Sequence, residues 1–221
     1  MNSQKLIANE ISPVSTEDRG TTVLSLMSEF RVSHLPVVDN NTLLGLVSED
    51  DIYNMDDESN TIESILNKLS SHRMSTENDV FEIIQQLDSN DITLLPLVSE
   101  NKYIGSVTQA SVVKALATII AVKEGGSLII LEMKKADYQM SEISQIIESN
   151  NAKILSSYIS NTKDNEKISV SLKLNIDNLN AIKQTFERYN YVVAAHYQPS
   201  DSKTDNTLSD RYEGLMRYLN P

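Results

Sequence analysis

An ungapped internal repeat of sixty residues most constrains what this sequence can fold into, because repeated segments form repeated structural units. Identical residues sixty positions apart include Ser15-Thr16-Glu17/Ser75-Thr76-Glu77, Leu35-Pro36/Leu95-Pro96 and Gly45/Gly105. Conservative pairs hold the same register, among them Val32/Ile92, Ser33/Thr93, Ser48/Thr108 and Ile52/Val112. The sequence therefore predicts two equivalent copies, at about residues 1–60 and 61–122.

Each copy has the same order of predicted elements. In the first copy, apolar residues after Thr16 recur at helical spacing, and two short apolar strands flank a polar turn at Asp39–Thr42. Ser48 then begins another helix, whose acidic first turn suits the positive end of the helix dipole. Asp79 is expected to cap the first helix of the second copy.

The segments VSHLPVVDNNTLLGLVSEDDI and ITLLPLVSENKYIGSVTQASV, one from each copy, resemble the CBS domain family. The resemblance covers about residues 1–121. It implies two β–α repeats packed about a pseudo-twofold axis, with clefts between them that commonly bind adenosine-containing ligands.

The family's ligand motif is complete in the first copy, at Gly45–Asp51. Backbone N–H groups and the Ser48 hydroxyl at a helix N-terminus would suit a phosphate or another anion. The resemblance implies that the carboxylate of Asp51 accepts both hydroxyls of a ribose. An alternative stays open, in which Ser48 and Asp51 simply cap the helix.

The resemblance also assigns further binding residues. It places His34 and Pro36 on the adjoining strand and Thr16 at the cleft entrance. In the second copy Thr108 keeps the hydroxyl of the motif, whereas Ser111 stands where the first copy has Asp51. We therefore expect the second cleft to lack the ribose acceptor.

The charge balance narrows the ligand. Asp and Glu number 31 against 19 Lys and Arg, a net charge of −12, which disfavours nucleic-acid binding. AMP, ATP and S-adenosylmethionine are the expected regulatory ligands. The few basic residues in the cleft region make the triphosphate the least favourable of the three.

No catalytic constellation is evident. The chain has no cysteine, no Gly-rich phosphate loop, and no pair of histidines at a metal-ligand spacing. We expect a non-catalytic protein that requires no cofactor and no metal. Two alternatives remain: an enzyme whose catalytic residues are scattered along the chain, and an interaction protein whose clefts stay empty.

The second half follows a different pattern. Strand and helix signals over residues 126–198 give the order βαββαβ, which is the ferredoxin-like plan. After a CBS pair, this order resembles the ACT domain, as in CBS–ACT regulators of the acetoin-utilisation type. The resemblance implies dimerisation or an amino-acid effector, although the loop Lys134–Met140 lacks the glycine that the family usually carries there.

Residues 199–221 are predicted to form a polar linker and a C-terminal helix. Its apolar stripe consists of Leu208, Tyr212, Leu215 and Leu219. No apolar run is long enough to span a membrane, and the N-terminus does not resemble a secretion signal. We expect a soluble, cytoplasmic homodimer or higher even oligomer of mixed α/β and α+β class. The partner that it regulates is not indicated.

Overall fold

The computed structural model describes residues 3–199, and the chain divides into two compact units between Leu116 and Ala117. The first unit contains both copies of the repeat. Its helices are α1 (Gly20–Phe30), α2 (Glu49–Tyr53), α3 (Val80–Ser89) and α4 (Gln109–Ile119), the last of which crosses the boundary. Its strands are β1 (His34–Asp39), β2 (Thr42–Ser48), β3 (Met74–Ser75), β4 (Leu94–Ser99) and β5 (Lys102–Thr108).

The five strands form one sheet in the order β1-β2-β5-β4-β3. Each copy contributes an antiparallel hairpin, and the two hairpins meet where Thr42 pairs with Lys102. The register shifts at equivalent places, between Val37 and Val38 in one hairpin and between Leu97 and Val98 in the other. The predicted repeat is therefore confirmed, and even the register shifts of the two hairpins lie sixty residues apart.

Each copy completes its sheet with a segment that precedes the other copy's first helix. Ile7 bridges Val107 of the second copy, and Ala8 donates its backbone N–H to the Ser106 carbonyl at 2.9 Å. In the reciprocal position, Ser70 bridges Leu46 of the first copy. The two copies thus exchange backbone pairing in both directions.

The motif glycines leave room for the segments that pair with each copy. A Cβ on Gly45 would lie 2.7 Å from Leu69 Cβ, and one on Gly105 would lie 2.7 Å from Ile7 Cγ2. Real Cβ atoms do not approach so closely, so the packing at both positions requires glycine.

The two long helices that open the copies begin differently. Asp79 accepts hydrogen bonds from the N–H groups of Phe81 and Glu82 and completes a capping box, which confirms the predicted cap of α3. Arg19 occupies the equivalent position before α1 and makes no side-chain cap. The first N–H groups of α1 donate instead to backbone carbonyls of residues 58 and 60.

The second unit has its own core. Its elements are β6 (Leu128–Lys134), α5 (Met140–Ser149), β7 (Ile154–Asn161), β8 (Lys167–Leu174), α6 (Asn180–Arg188) and β9 (Val192–Tyr197). The strand order is β7-β8-β6-β9, with every neighbouring pair antiparallel. Alternate residues of β6 and β8 are buried together with α5 and α6, and Phe186 meets Tyr191 edge to face at 5.5 Å. The predicted βαββαβ order is confirmed.

Some details differ from the sequence expectations. The helix predicted after Ser48 is present, and it is short, five residues from Glu49 to Tyr53. The loop expected at Lys134–Met140 contains a short 3-10 helix at Lys135–Asp137. The predicted tail helix, with its apolar stripe from Leu208 to Leu219, lies outside the described residues.

Candidate functional site

A cleft of about 370 Å³, here called the first cleft, lies between the two copies. Its lining comes from the start of β1, the β2–α2 junction and the segment before β4. The lining residues are Ser33, His34, Ser48, Glu49, Asp50, Asp91 and Thr93. Two of the residues predicted to bind ligand, His34 and Ser48, therefore share one cavity.

Ser48 and Asp51 form a reciprocal cap at the start of α2. The Ser48 hydroxyl donates to Asp51 Oδ2 at 2.7 Å, the Ser48 N–H donates to the same oxygen at 2.9 Å, and the Asp51 N–H donates to Ser48 Oγ at 3.0 Å. In this structure Ser48 and Asp51 therefore cap the helix, as the alternative interpretation of the motif predicted. Among the described residues, no hydrogen bond is made by Asp51 Oδ1, but Asp51 itself is not one of the residues that line the first cleft.

The expectation that this helix start suits a phosphate stays a prediction, and most of the N–H groups it depends on already donate within the protein. The N–H groups of Ser48 and Asp51 serve the cap, and the Glu49 N–H donates to the Ser33 carbonyl at 3.0 Å. A helix of five residues has little dipole, and Glu49, Asp50 and Asp51 fill its first turn. Three of the N–H groups at this helix start, those of Ser48, Glu49 and Asp51, are therefore already used within the protein.

His34 joins the two copies. Its Nδ1 accepts from the Thr93 N–H at 3.3 Å and lies 3.1 Å from Thr93 Oγ1, which itself accepts from the Ser33 N–H at 2.9 Å. Burial lowers the pKa of His34 below its usual value, and the nearby carboxylates of Asp51, Glu49 and Asp91 oppose that shift only in part. The ring that faces the cleft is therefore uncharged at neutral pH.

Thr16 and Pro36 do not line the first cleft. Pro36 is buried in β1 opposite Leu46, and its carbonyl accepts from the Val14 N–H at 2.9 Å. Thr16 is half-buried, and its carbonyl accepts from the Glu63 N–H at 2.9 Å. In this structure both residues hold backbone segments together.

Thr108 belongs to a second cleft, of about 270 Å³. This cavity is lined by Glu10, Ile11, Phe30, Arg31, Val32, Thr93, Thr108, Gln109 and Ala110. Ser111 takes over the capping role of Asp51: the Thr108 N–H donates to Ser111 Oγ at 3.1 Å, and the Ser111 N–H donates to Thr108 Oγ1 at 3.1 Å. A serine therefore supports the same backbone geometry without supplying a carboxylate.

The two clefts present different charges at repeat-equivalent positions. The first cleft has Glu49, Asp50 and Asp91, whereas sixty residues away the second has Gln109, Ala110 and Arg31. Asp91 and Arg31 share a left-handed backbone, with φ of 51° and 56°. The predicted site omitted Asp91 and Thr93, although the repeat register already placed them in the segments between helix and strand.

The second unit contains another cavity, of about 410 Å³, near the end of β6 and the start of α5. Its polar lining includes Lys134, Asp137 and Asn190. The Tyr191 hydroxyl donates to Glu142 Oε2 at 2.6 Å, and burial together with that carboxylate raises the pKa of Tyr191. Lys167 Nζ lies 3.0 Å from Glu132 Oε1. Charges of both signs therefore meet at this cavity.

Residues 3–199 contain no cluster of three or more His, Asp or Glu side chains arranged to hold a metal ion. Within that same stretch, none of the helices combines the length and the apolar character needed to cross a membrane.

Comparison with known proteins gives one family and several relatives. Residues 9–58 and 74–118 match the CBS domain family. Inosine-5'-monophosphate dehydrogenase of Methanocaldococcus jannaschii is 24% identical over 115 residues, which are 51% of this chain but only 23% of that enzyme. The match therefore spans under a quarter of the enzyme.

Two solved structures align with about half of this chain. A CBS domain pair/ACT domain protein from Thermotoga maritima aligns at 19% identity with a TM-score of 0.47, covering 53% of this chain and 98% of that chain. CBSX2 in complex with AMP aligns at 22% identity with a TM-score of 0.44, covering 53% and 97%.

The first half is a module of paired β–α repeats. Four observations support this: the sequence repeat, the shared sheet, the two clefts and the two segments that match one family. The matched segments, one in each copy, are similar to CBS domains, so this module resembles a tandem CBS domain pair. CBS domain proteins are typically regulatory and bind adenosine-containing ligands.

Proposed function

We propose that this protein is a non-catalytic regulator that binds an adenosine-containing ligand in the first cleft. The observation that carries the proposal is the complete motif of the first copy, whose Ser48 lines a cavity built from both copies. Asp51 Oδ1 would accept the ribose hydroxyls while Oδ2 keeps the cap. AMP, ATP and S-adenosylmethionine are the ligand candidates.

The remaining predicted residues take supporting roles in this proposal. His34 would contact the ligand from the cleft wall, and Thr16 and Pro36 would hold the backbone around it. Thr108 would serve the second cleft, which lacks the carboxylate. No cofactor or metal is required for such binding.

Replacing Asp51 by serine tests the proposal with a built-in control. Ser111 shows that serine at this position still caps the following helix, so Asp51→Ser should fold normally. Calorimetry on the full chain should show adenosine-ligand binding by the wild type and a loss of about tenfold or more in Asp51→Ser, because a hydrogen-bonded carboxylate is removed.

Ser111→Ala is the matched variant in the second copy and should leave that affinity unchanged. If wild-type protein binds no adenosine compound, the clefts are empty and the interaction-protein alternative takes over. Equal affinity in the wild type and Asp51→Ser would remove Asp51 from the site.

We further propose three segments: the CBS pair at residues 1–122, an ACT-like domain at 126–198 and a tail at 199–221. Strands β7 and β9 are the edges of the second unit's sheet, and exposed edges favour pairing with another chain. We expect a homodimer or a higher even oligomer in the cytoplasm. Light scattering behind a sizing column should give at least twice 24.7 kDa, and a monomer mass at micromolar concentration would contradict it.

A second candidate function is an amino-acid sensor in the ACT-like domain. The specific observation is the cavity beside α5, where lysines and carboxylates could pair with a zwitterion. A thermal-shift screen with amino acids should raise Tm for the wild type and not for Glu142→Gln. Glu148→Gln, on the same helix but outside this cavity, is the control.

A further inference from the structure

The charges that line the first cleft narrow the class of adenosine-containing ligand that it can bind. We propose that this cleft selects an adenosine ligand that carries no phosphate and has a positive charge, an inference that rests on the proposed function. Its chemical class is a cationic nucleoside, such as an adenosyl sulfonium, rather than a nucleotide.

The first line of support is the charge on the cleft wall. Three carboxylates line it, from Glu49, Asp50 and Asp91, and its lining includes neither lysine nor arginine. His34 adds no positive charge at neutral pH, because its Nδ1 is occupied as an acceptor and burial lowers its pKa. A phosphate placed here would face like charges on several sides, and clefts concentrate such fields.

The second line is the shortage of donors. Anion sites at helix starts work through free N–H groups. Here the N–H groups of Ser48, Glu49 and Asp51 already donate within the protein. A phosphate would have to displace these bonds as well as overcome the carboxylates.

The third line is internal to the molecule. At the three equivalent positions of the second cleft the side chains are Gln109, Ala110 and Arg31. Arg31 and Asp91 share a left-handed backbone, and the helix starts at Ser48 and Thr108 carry the same reciprocal cap. The second copy thus forms the equivalent structure without the acidic residues of the first cleft.

Two matched pairs of probes isolate charge from shape. S-adenosylmethionine and S-adenosylhomocysteine differ by one methyl group and the sulfonium charge, whereas adenosine and AMP differ by the phosphate. In low-salt buffer, we expect the wild-type chain to bind S-adenosylmethionine and adenosine each about tenfold more tightly than its partner. Both ratios should shrink as salt is raised.

Asp91→Arg is the decisive variant. It places in the first cleft the residue that the second cleft has at the equivalent, left-handed position, so the backbone tolerates it. Calorimetry should show that the preference for S-adenosylmethionine falls by about tenfold and that AMP gains affinity relative to adenosine. Asp88→Arg, the same charge change outside the cleft lining, should leave both ratios as in the wild type.

The outcomes separate this inference from the proposed function. Tighter binding of AMP than of adenosine, or ratios that Asp91→Arg leaves unchanged, would overturn charge selection while adenosine recognition stands. If none of the four compounds binds, the proposed function fails and the selectivity fails with it. A shift of both ratios in Asp91→Arg alone supports the inference.

Discussion

The two copies of the repeat share a backbone but not a cleft chemistry. The register of their hairpins shifts at equivalent residues. At both motif glycines, an added Cβ would lie only 2.7 Å from a neighbouring side chain. The lining side chains differ in charge at three equivalent positions, and a carboxylate in one cap is a hydroxyl in the other. The copies therefore share their strand pairing and close packing, whereas the side chains that line their clefts differ in charge.

The largest expected effect concerns the shared core. Leu35 and Leu95 are equivalent and fully buried in β1 and β4. Leu35→Ala and Leu95→Ala should each lower the free energy of unfolding by about 2–5 kcal/mol, because each leaves a cavity in a packed interior. Urea denaturation measures both. A cost in one copy below half that in the other would show that the cores are not equivalent.

An intermediate effect is expected where the copies begin their first helices differently. Asp79→Ala removes a capping box and should cost about 0.5–2 kcal/mol. Arg19→Ala, at the equivalent position without a side-chain cap, should have little effect. Thermal unfolding of both variants checks the contrast, and equal losses would contradict it.

The smallest expected effect is on the pH dependence of stability, through His34, whose ring bonds to Thr93 of the other copy. The pKa of His34 is lowered in the folded chain, so between that value and the unfolded value near 6.5 the unfolded state holds more protons. The contribution of His34 to stability is therefore complete above pH 6.5 and declines as pH falls below it. The ionisable groups that act on this ring are Asp51, Glu49 and Asp91, which favour its charged form, and His72, which opposes it.

His34→Asn keeps an acceptor for the Thr93 N–H but does not titrate. Its Tm should therefore fall less steeply than that of the wild type between about pH 6.5 and pH 5. Parallel Tm-against-pH curves for the two proteins would remove His34 from the pH dependence.

The repeat made most of the first unit predictable. Apolar spacing located α1 and α3, and the βαββαβ order followed from alternation and helical periodicity. The motif predicted an anion site at this helix start, but a one-dimensional motif does not show that the Ser33 carbonyl already accepts from the Glu49 N–H. Asp91 was missed because it joins the cleft through tertiary packing, forty residues from the Asp51 motif.

The placement of Thr16 and Pro36 shows the same limit. Both were assigned by family resemblance, yet what they contact depends on the segments that pack beside them, at Val14 and Glu63. Periodicity predicts which face of an element is buried, but it does not predict which backbone group a neighbouring loop will present.

The reciprocal bridges of Ile7 with Val107 and of Ser70 with Leu46 bear on how the first unit comes apart. Opening one copy strips a pairing segment from the sheet of the other, so damage on either side spreads to both. The indivisible element of this half is therefore the duplicated pair, and we expect it to melt in a single cooperative transition. A lone sixty-residue copy would be left with an unfilled sheet edge and an exposed apolar seam, a poor candidate for an independent domain.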